Sequence, residues 1–276
     1  MKLVAIQLTS GADWPTNRAA IAAQLAALPP QRPCLVLLPE NAACLGRPAD
    51  YAALAEPLGA GPIQAQLAQW AREFGIWLVM GAMPIQSDCP RPYTSSLVYD
   101  DQGVRRGHYH KIHLFDVDVP DGHGRYRESD SFSAGSEPVV VPSPFGGLGL
   151  SICYDVRFPE LYRRLRQAGA DILLVPAAFT QVTGQAHWLP LLQARAIENQ
   201  CLVLAANQWG HHGGDRHTWG HSLILDGWGQ LLACQAEGVG LVVADLPLDH
   251  LTDIRRRMPV LQHARLLPGQ RDEPCC

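Results

Sequence analysis

The chain lacks any apolar run of the roughly 20 residues that a helix needs to cross a bilayer. It also lacks a strong charge of either sign, since its formal net charge at pH 7 is −4. That balance gives no electrostatic reason to expect nucleic acid or an anionic membrane as a partner. Low-complexity segments are missing too, and 47% hydrophobic with 17% charged residues over 276 positions is the composition of an ordinary globular protein.

Metal-type Cys-x-x-Cys spacing is also missing, although the chain contains eight cysteines. Cys34, Cys201 and Cys234 lie inside apolar strand-like runs, where a free buried thiol is expected. Residues 1–8 form a further strand-like run that lacks the apolar stretch and cleavage site of a signal peptide. We therefore expect free thiols and a reducing, cytoplasmic location.

Strand-like and helix-like runs alternate along the chain, which predicts one domain over residues 1–276 with a flexible tail from about residue 265. The terminal Cys275-Cys276 pair is interpreted as part of that tail rather than as a lipidation site. The predicted strands cover 1–8, 34–40, 76–83, 95–100, 148–152, 171–177, 201–206, 222–225, 230–233 and 240–244. The predicted helices cover 13–28, 63–74, 159–168 and 186–199. Two similar halves suggest two sheets packed face to face with helices outside, although periodicity alone supports only an α/β class.

One strand delivers a cysteine into a polar turn. The apolar run that ends at Ile152 is followed by Cys153, and a helix is predicted soon after. Chemistry in α/β folds is usually placed at the carboxyl ends of strands, and a helix N-terminus favours the thiolate form of a cysteine. A single cysteine at the end of a strand is more often an unreactive residue of the core. The prediction that Cys153 is a nucleophile therefore depends on other catalytic residues in the chain.

Two other segments supply candidate supporting residues. The apolar run LLPENA delivers Glu40 at a protected strand end, where a carboxylate could serve as a general base. Lys111 lies among aromatic and apolar neighbours in HKIHLFD, within residues 104–136, which are predicted to form a long irregular loop of functional importance. Taken alone, Glu40 could be a solvated strand end and Lys111 a surface lysine.

Glu40, Lys111 and Cys153, in that order and in the contexts LLPENA, HKIHLFD and CYDVRFPELYR, resemble the nitrilase superfamily of carbon–nitrogen hydrolases. A fourth matching segment, GRYRES, contains Glu128. The resemblance covers nearly the whole chain. The segments KIHLFDVDVP, RES and TGQAHW resemble most the branch that holds the amidases of deaminated glutathione and the ω-amidases.

The resemblance implies a four-layer α-β-β-α sandwich and amide hydrolysis without a metal or other cofactor. Cys153 would be the nucleophile and Glu40 the group that moves protons. Lys111 would stay protonated and stabilise the oxyanion together with the backbone N–H of Tyr154. By the resemblance, Glu128 would hold the lysine and help to orient the substrate amide.

The histidines leave a rival enzyme class open. His108, His110 and His113 surround Lys111, and His-x-His spacing on a strand can ligate zinc. A zinc amidohydrolase is therefore the main alternative. A second group consists of His211, His212, His217 and His221, and its segment Gly-His-His-Gly-Gly (210–214) is predicted to be a mobile surface loop. A non-catalytic binding protein with this fold is a third possibility.

The substrate would carry a carboxylate, for which arginine is the natural partner. Arg157 lies one helical turn beyond Cys153 and could reach the same pocket, but it could equally pair with Asp155 or Glu160. Thr183 is predicted on a loop after a strand, and the resemblance implies that Arg157 and Thr183 contact the acid end of the substrate.

The resemblance of KIHLFDVDVP, RES and TGQAHW to that branch implies deaminated glutathione as the substrate, cleaved to α-ketoglutarate and cysteinylglycine. The alternatives are α-ketoglutaramate and an N-carbamoyl amino acid, between which the residues do not decide. The resemblance also implies a homodimer, with the helix that begins near Pro159 as the candidate contact.

Overall fold

The computed structural model describes residues 1–246 and 248–265. The predicted tail beyond residue 265, with Cys275 and Cys276, lies outside the described residues. The strands are β1 Lys2–Gln7, β2 Cys34–Leu37, β3 Trp77–Ile85, β4 Tyr93–Tyr99, β5 Arg105–His110, β6 Asp116–Asp118, β7 Arg125–Arg127, β8 Val140–Ser143, β9 Gly146–Leu150, β10 Ala170–Ala177, β11 Leu202–Asn207, β12 Trp209–His211, β13 His217–Trp219, β14 Ser222–Leu225, β15 Leu231–Gln235 and β16 Gly240–Asp245. The helices are α1 Trp14–Ala26, α2 Pro48–Leu54, α3 Pro62–Phe74, α4 Pro159–Gln167, α5 Gln181–Asn199, α6 Leu248–Arg257 and α7 Val260–His263.

Two six-stranded sheets form the centre of the molecule. Their strand orders are β16-β1-β2-β3-β4-β5 and β15-β14-β11-β10-β9-β8. In each sheet a run of neighbouring strands is parallel, β1 to β3 in the first and β9 to β11 in the second, and the flanking strands are antiparallel. The parallel strands bring their carboxyl ends to the same edge, which is the part of an α/β fold where sites usually form.

The alternation of side chains along β1 shows how the layers stack. Leu3 and Ala5 belong to a core cluster that they share with Leu150 and other residues of the second sheet. Val4 and Ile6 point the other way and pack in a second cluster under α1 and α3. Helices α4 and α5 cover the outer face of the second sheet through residues of the first cluster. The arrangement is the four-layer α-β-β-α sandwich, so the predicted fold is confirmed.

The helices begin and end where local signals allow. The Asp13 carboxylate caps α1 by accepting the backbone N–H of Thr16 at 2.9 Å. Pro62 opens α3, and Gly75 ends it in the left-handed conformation with φ +58°. Both helices lie within two residues of their predicted limits, because capping residues act within a single turn.

Two predictions of secondary structure are wrong. Residues 104–136 contain β5, which pairs with β4 in the first sheet, and the β6–β7 hairpin, so Lys111 directly follows a strand. Helix α5 begins at Gln181, which places Thr183 in its first turn rather than on a loop. The Thr180 hydroxyl caps this turn by accepting the Thr183 N–H at 3.3 Å.

Within the part of the chain that the structure describes, no helix is both long and apolar enough to cross a membrane.

Candidate active site

The candidate residues meet in one cavity of about 600 Å³ at the carboxyl edge of the sheets. Glu40 comes shortly after β2, Lys111 directly after β5, Glu128 directly after β7, and Cys153 shortly after β9. Four separate segments therefore supply the four side chains, and the structure brings all of them together.

Lys111 lies between two carboxylates. Its ammonium donates to Glu40 Oε1 at 2.7 Å and to both carboxylate oxygens of Glu128 at 2.9 Å, and the lysine is only 1% exposed. Burial alone would lower the pKa of Lys111, but Glu128 and Glu40 raise it well above its ordinary value. Glu128 also accepts the Phe115 N–H at 2.6 Å, which fixes its orientation. Lys111 therefore carries a permanent positive charge inside the cavity.

Cys153 is the first residue of a short 3-10 helix, Cys153–Arg157, and has a left-handed backbone with φ +49°. A non-glycine residue in this conformation costs on the order of 1–3 kcal/mol, and such strain clusters at functional sites. The Cys153 thiol forms hydrogen bonds with the Glu40 carboxylate and the Ala178 backbone N–H. Nucleophile and base candidates are therefore in direct contact.

The expectation that a helix N-terminus favours the Cys153 thiolate is wrong. Burial, followed by the negative charge of Glu40, raises the pKa of the thiol well above its ordinary value of 9.0, and the nearby Lys111 only partly opposes this. The regular helix α4 begins at Pro159, six positions later, so its N-terminus is not adjacent to the sulfur. The resting group is a thiol that must lose its proton when it attacks.

Asp155 ties the nucleophile turn to the lysine segment. The Asp155 side chain is fully buried and accepts hydrogen bonds from Tyr109 Oη at 2.8 Å and the Ile152 N–H at 2.8 Å. His113 supplies its backbone N–H at 3.1 Å and its Nδ1 at 2.7 Å. Because Tyr109 and His113 stand on either side of Lys111, one carboxylate positions the residues around both candidate catalytic groups.

Gln208 supports the backbone of Glu40. Its side-chain amide donates to Glu40 O at 2.9 Å and to Ser10 Oγ at 2.9 Å. Gly81 lies so close to Leu38 O and Pro39 O that a Cβ at this position would overlap both. The segment that carries Glu40 is therefore held from both sides.

The candidate substrate-binding residues also line the cavity. Arg157 makes no ion pair with a described residue, so the alternative pairing with Asp155 or Glu160 is wrong. Its guanidinium lies 5.8 Å from the ring centroid of Tyr154 and 5.2 Å from that of Phe179, and it contacts His187 Nδ1 at 3.2 Å. Its charge is thus held by aromatic rings and left without a carboxylate partner.

Thr183 and Tyr154 complete this side of the cavity. Thr183 Oγ1 lies 2.8 Å from Thr180 Oγ1 at the start of α5. The first backbone bond of the 3-10 helix runs from the Asp155 N–H to Ile152 O at 3.1 Å. The Tyr154 N–H precedes that bond and is left without an intrahelical acceptor, as amides at helix starts are.

Sequence reasoning missed Asn41 and Arg216, which also line the cavity. Asn41 follows Glu40 and has a left-handed backbone with φ +58°. Arg216 lies in the loop between β12 and β13, two residues after the segment 210–214 that was predicted to be a mobile surface loop, and this loop lines one side of the cavity. The only sequence signal was a single arginine after glycines and an aspartate.

His110, His113 and His212 each make separate hydrogen-bond contacts through their ring nitrogens. His110 Nδ1 contacts Ser95 Oγ at 2.7 Å and His113 Nδ1 contacts Asp155 at 2.7 Å. His212 uses both ring nitrogens, at 2.8 Å from Ser10 O and 2.6 Å from Thr218 Oγ1. Among residues 1–246 and 248–265, no group of three or more His, Cys, Asp or Glu side chains is arranged to hold a metal ion.

Comparison with known proteins gives consistent matches over almost the whole chain. The carbon–nitrogen hydrolase family model matches residues 3–256. A deaminated glutathione amidase from Yersinia enterocolitica is 46% identical over 264 residues, which are 95% of this chain and 92% of that protein. The human deaminated glutathione amidase is 43% identical over 238 residues, which are 84% of this chain and 72% of that protein.

Solved structures agree with these matches. The NitFhit protein of C. elegans superimposes with a TM-score of 0.85 at 37% identity, over 96% of this chain and 65% of the fusion protein. Nit3 of Saccharomyces cerevisiae, a member of branch 10 of the nitrilase superfamily, gives a TM-score of 0.83 at 28% identity over 94% of both chains.

Proposed function

The chain belongs to the carbon–nitrogen hydrolase family, and we propose that this hydrolase cleaves deaminated glutathione to α-ketoglutarate and cysteinylglycine. The observation that carries the proposal is the contact of Cys153, Glu40 and Lys111 in one cavity, in a chain whose relatives at 41–46% identity are named deaminated glutathione amidase.

In the first half of the proposed reaction, Cys153 Sγ attacks the amide carbon while Glu40 takes the thiol proton. Negative charge that develops on the carbonyl oxygen is stabilised by the Lys111 ammonium and the Tyr154 N–H. Glu40 then gives its proton to the nitrogen as the carbon–nitrogen bond breaks. Cysteinylglycine departs as an amine, and the acyl group remains on sulfur as a thioester.

In the second half, water replaces the departed amine. Glu40 takes a proton from the water, and the resulting hydroxide attacks the thioester carbon. The carbon–sulfur bond breaks, the sulfur regains a proton, and α-ketoglutarate is released. Glu128 keeps Lys111 in place through both halves, which the two contacts at 2.9 Å support.

We assign the α-keto carboxylate of the substrate to Arg157 and Thr183. Arg157 lies on the Cys153 side of the cavity and has no carboxylate partner in the described chain. Its planar fork can bind a carboxylate through two parallel hydrogen bonds. Thr183 offers a hydroxyl at the start of α5 for the neighbouring oxygen atoms.

The proposal is tested by comparing kcat/KM for deaminated glutathione, α-ketoglutaramate, an N-carbamoyl amino acid and a simple nitrile. We expect deaminated glutathione to be first and α-ketoglutaramate second. A carbamoyl compound or a nitrile in first place would refute the substrate assignment while leaving the thioester mechanism intact. Thiol alkylation should abolish the activity and a chelator should not, and the reverse pattern would support a zinc enzyme instead.

We also propose a homodimer that forms through α4. Helix α4 exposes the oppositely charged side chains of Glu160 and Arg164, which a second copy of the same helix could pair with reciprocally. The neighbouring helix α5 exposes apolar side chains, of which Ile197 is 53% exposed. Light scattering after size exclusion should give twice the chain mass of 30.1 kDa, and a monomer mass would contradict the proposal.

We propose a cytoplasmic location. All six cysteines of the described residues are unpaired, and free thiols persist in a reducing compartment. Cell fractionation followed by the amidase assay should recover the activity with cytoplasmic markers, and recovery with an oxidising compartment would contradict this.

A further inference from the structure

Five arginines line the cavity: Arg47, Arg125, Arg127, Arg157 and Arg216. Arg47 and Arg127 pair with Asp50 and Asp118, and Arg125 is exposed, which leaves Arg157 and Arg216 as the partly buried arginines without an ion pair among the described residues. Arg216 comes from the β12–β13 loop, whereas Arg157 comes from the turn after Cys153. The two arginines have different neighbours. Arg157 interacts with Cys153 and Tyr154, while Arg216 interacts with Tyr51, Glu40 and Tyr126. Of these two arginines, Arg157 therefore lies on the nucleophile side of the cavity and Arg216 on the base side.

Arg216 is held in place without a carboxylate of its own. The Tyr51 hydroxyl forms a hydrogen bond with its guanidinium, and Tyr51 in turn packs on Phe132 with ring centroids 5.0 Å apart. Burial would lower the pKa of Arg216, but Tyr51 and Glu40 raise it above its ordinary value. Arg216 is consequently a fixed, permanently charged group.

Three of the four acidic residues that line the cavity have partners of their own. Glu40 and Glu128 both bind Lys111, and Asp50 accepts the Arg47 backbone N–H at 2.8 Å. The fourth, Asp215, is exposed. In the segments that the structure describes, Arg216 forms no ion pair. A half-buried guanidinium that lines a cavity without a counterion is suited to a ligand carboxylate.

Asn41 provides an independent sign of a ligand on the same side. It is 7% exposed and lines the cavity next to Glu40. Its side-chain oxygen is buried and has no hydrogen-bond partner among the described residues. Such an acceptor is costly when it stays unsatisfied, and native structures rarely leave one without a role. An N–H group of a bound ligand would satisfy it.

We propose that Asn41 and Arg216 form a subsite for the leaving group, in which Asn41 accepts an amide N–H and Arg216 binds a terminal carboxylate. The inference rests on the proposed function, because cysteinylglycine leaves as an amine that bears one peptide N–H and one carboxylate. Glu40 delivers the proton to the departing nitrogen, so the leaving group must lie on the Glu40 side. This is the side where Arg216 and Asn41 lie. The pocket thus recognises a substrate with a carboxylate at each end.

The test compares deaminated glutathione with its C-terminal amide, which lacks only the terminal charge. Wild-type enzyme should prefer the acid by about 10- to 100-fold in kcat/KM, the usual effect of a charge-assisted hydrogen bond. In Arg216→Gln the ratio of acid to amide should fall towards one. Arg216→Lys should give an intermediate ratio, because lysine keeps the positive charge but cannot form the two parallel hydrogen bonds of a guanidinium.

Two further variants distinguish the loss of a direct contact with the ligand from a general change in the charge of the protein. Arg18→Gln removes an exposed arginine of α1 that does not line the cavity and should keep the wild-type ratio. Asn41→Gly suits the left-handed backbone at this position. It should lower kcat/KM about 5- to 10-fold for the acid and the amide alike, with the ratio retained. Circular dichroism and the melting temperature report whether each variant is folded.

The outcomes are distinct. A folded Arg216→Gln that keeps the wild-type ratio, or an Arg18→Gln that loses it equally, would overturn the subsite. Failure of the wild type to cleave deaminated glutathione would instead overturn the proposed function. Wild-type activity with an unchanged ratio in Arg216→Gln would leave the function standing and refute the subsite alone.

Discussion

The hydroxyl of Tyr109 donates to the carboxylate of Asp155 at 2.8 Å, and this contact joins the segment of Lys111 to the segment of Cys153. The two residues are 46 positions apart in sequence and both are buried. The distance between Lys111 Nζ and Cys153 Sγ therefore depends on the buried Asp155 carboxylate, although that carboxylate contacts neither of these two side chains.

Asp155 should act as a positioning residue. In Asp155→Asn the amide group can accept fewer of the four hydrogen bonds that the carboxylate accepts. We expect kcat to fall by about 10- to 100-fold with a smaller change in KM, because geometry in the transition state suffers more than ground-state binding. Steady-state kinetics provide the measurement.

Tyr109→Phe is the matched control for Asp155→Asn, since it removes a single donor. Its effect on kcat should have the same sign and be smaller. A change confined to the melting temperature, with kcat at the wild-type level in both variants, would mean that Asp155 is only structural.

Cys153→Ala should abolish turnover while the melting temperature stays close to the wild-type value. The substitution removes the nucleophile and leaves the apolar surroundings filled. In wild-type enzyme, mass spectrometry with a slow substrate should find the acyl group on Cys153. Turnover by the alanine variant, or an adduct on another of the cysteines, would rule out the thioester mechanism.

Glu40→Gln and Lys111→Met should each lower kcat by at least about 100-fold. The first variant cannot move protons and the second removes the charge beside the oxyanion. Because the two groups share a hydrogen bond of 2.7 Å and act in the same step, the double variant should lose far less than the product of the single losses. A double variant whose loss in kcat equals the product of the two single losses would show that the residues act independently.

Arg157→Lys should raise KM or lower kcat/KM for keto acid amides, because lysine keeps the charge but loses the bidentate geometry. The comparison is made against a simple aliphatic amide without a carboxylate, on which the variant should lose less. An equal loss on both amides would contradict a role for Arg157 in carboxylate binding. It would indicate a structural role through the contacts of Arg157 with Tyr154 and Phe179.

The alkylation of Cys153 should depend on pH in a defined way. Burial and the charge of Glu40 raise the thiol pKa above 9.0, so the thiol is protonated below that pH and the thiolate appears only above it. The rate of iodoacetamide labelling at Cys153, followed by peptide mass spectrometry, should therefore rise only in the alkaline range.

The two charged neighbours should shift this labelling curve in opposite directions. Glu40→Gln removes a negative charge and should move the curve to lower pH, whereas Lys111→Met removes a positive charge and should move it to higher pH. A labelling curve with a midpoint near neutrality in the wild type would contradict the raised pKa.

Much of the fold could be predicted from local patterns. The alternation in β1 and the capping signals around α1 and α3 act over a few residues, so the sequence contains them directly. The half-buried strand β5 was missed because Arg105-Arg106-Gly107-His108 has no apolar alternation. Its pairing with β4 decides its conformation, and pairing is not a local property.

The sequence by itself determined the α/β class, the family resemblance that implies the layer order, and the identity of Glu40, Lys111, Glu128 and Cys153 as candidates, because each of these residues stands in its own short motif. Only the tertiary structure decided that the thiol pKa is raised, since burial and the contact with Glu40 arise between segments more than 100 positions apart. The same holds for Arg216, whose lack of a counterion depends on what the rest of the fold places around the cavity. Local motifs specify which chemical groups are present. Long-range packing specifies the protonation state of these groups, the distances between them and which of them lack a partner within the described chain.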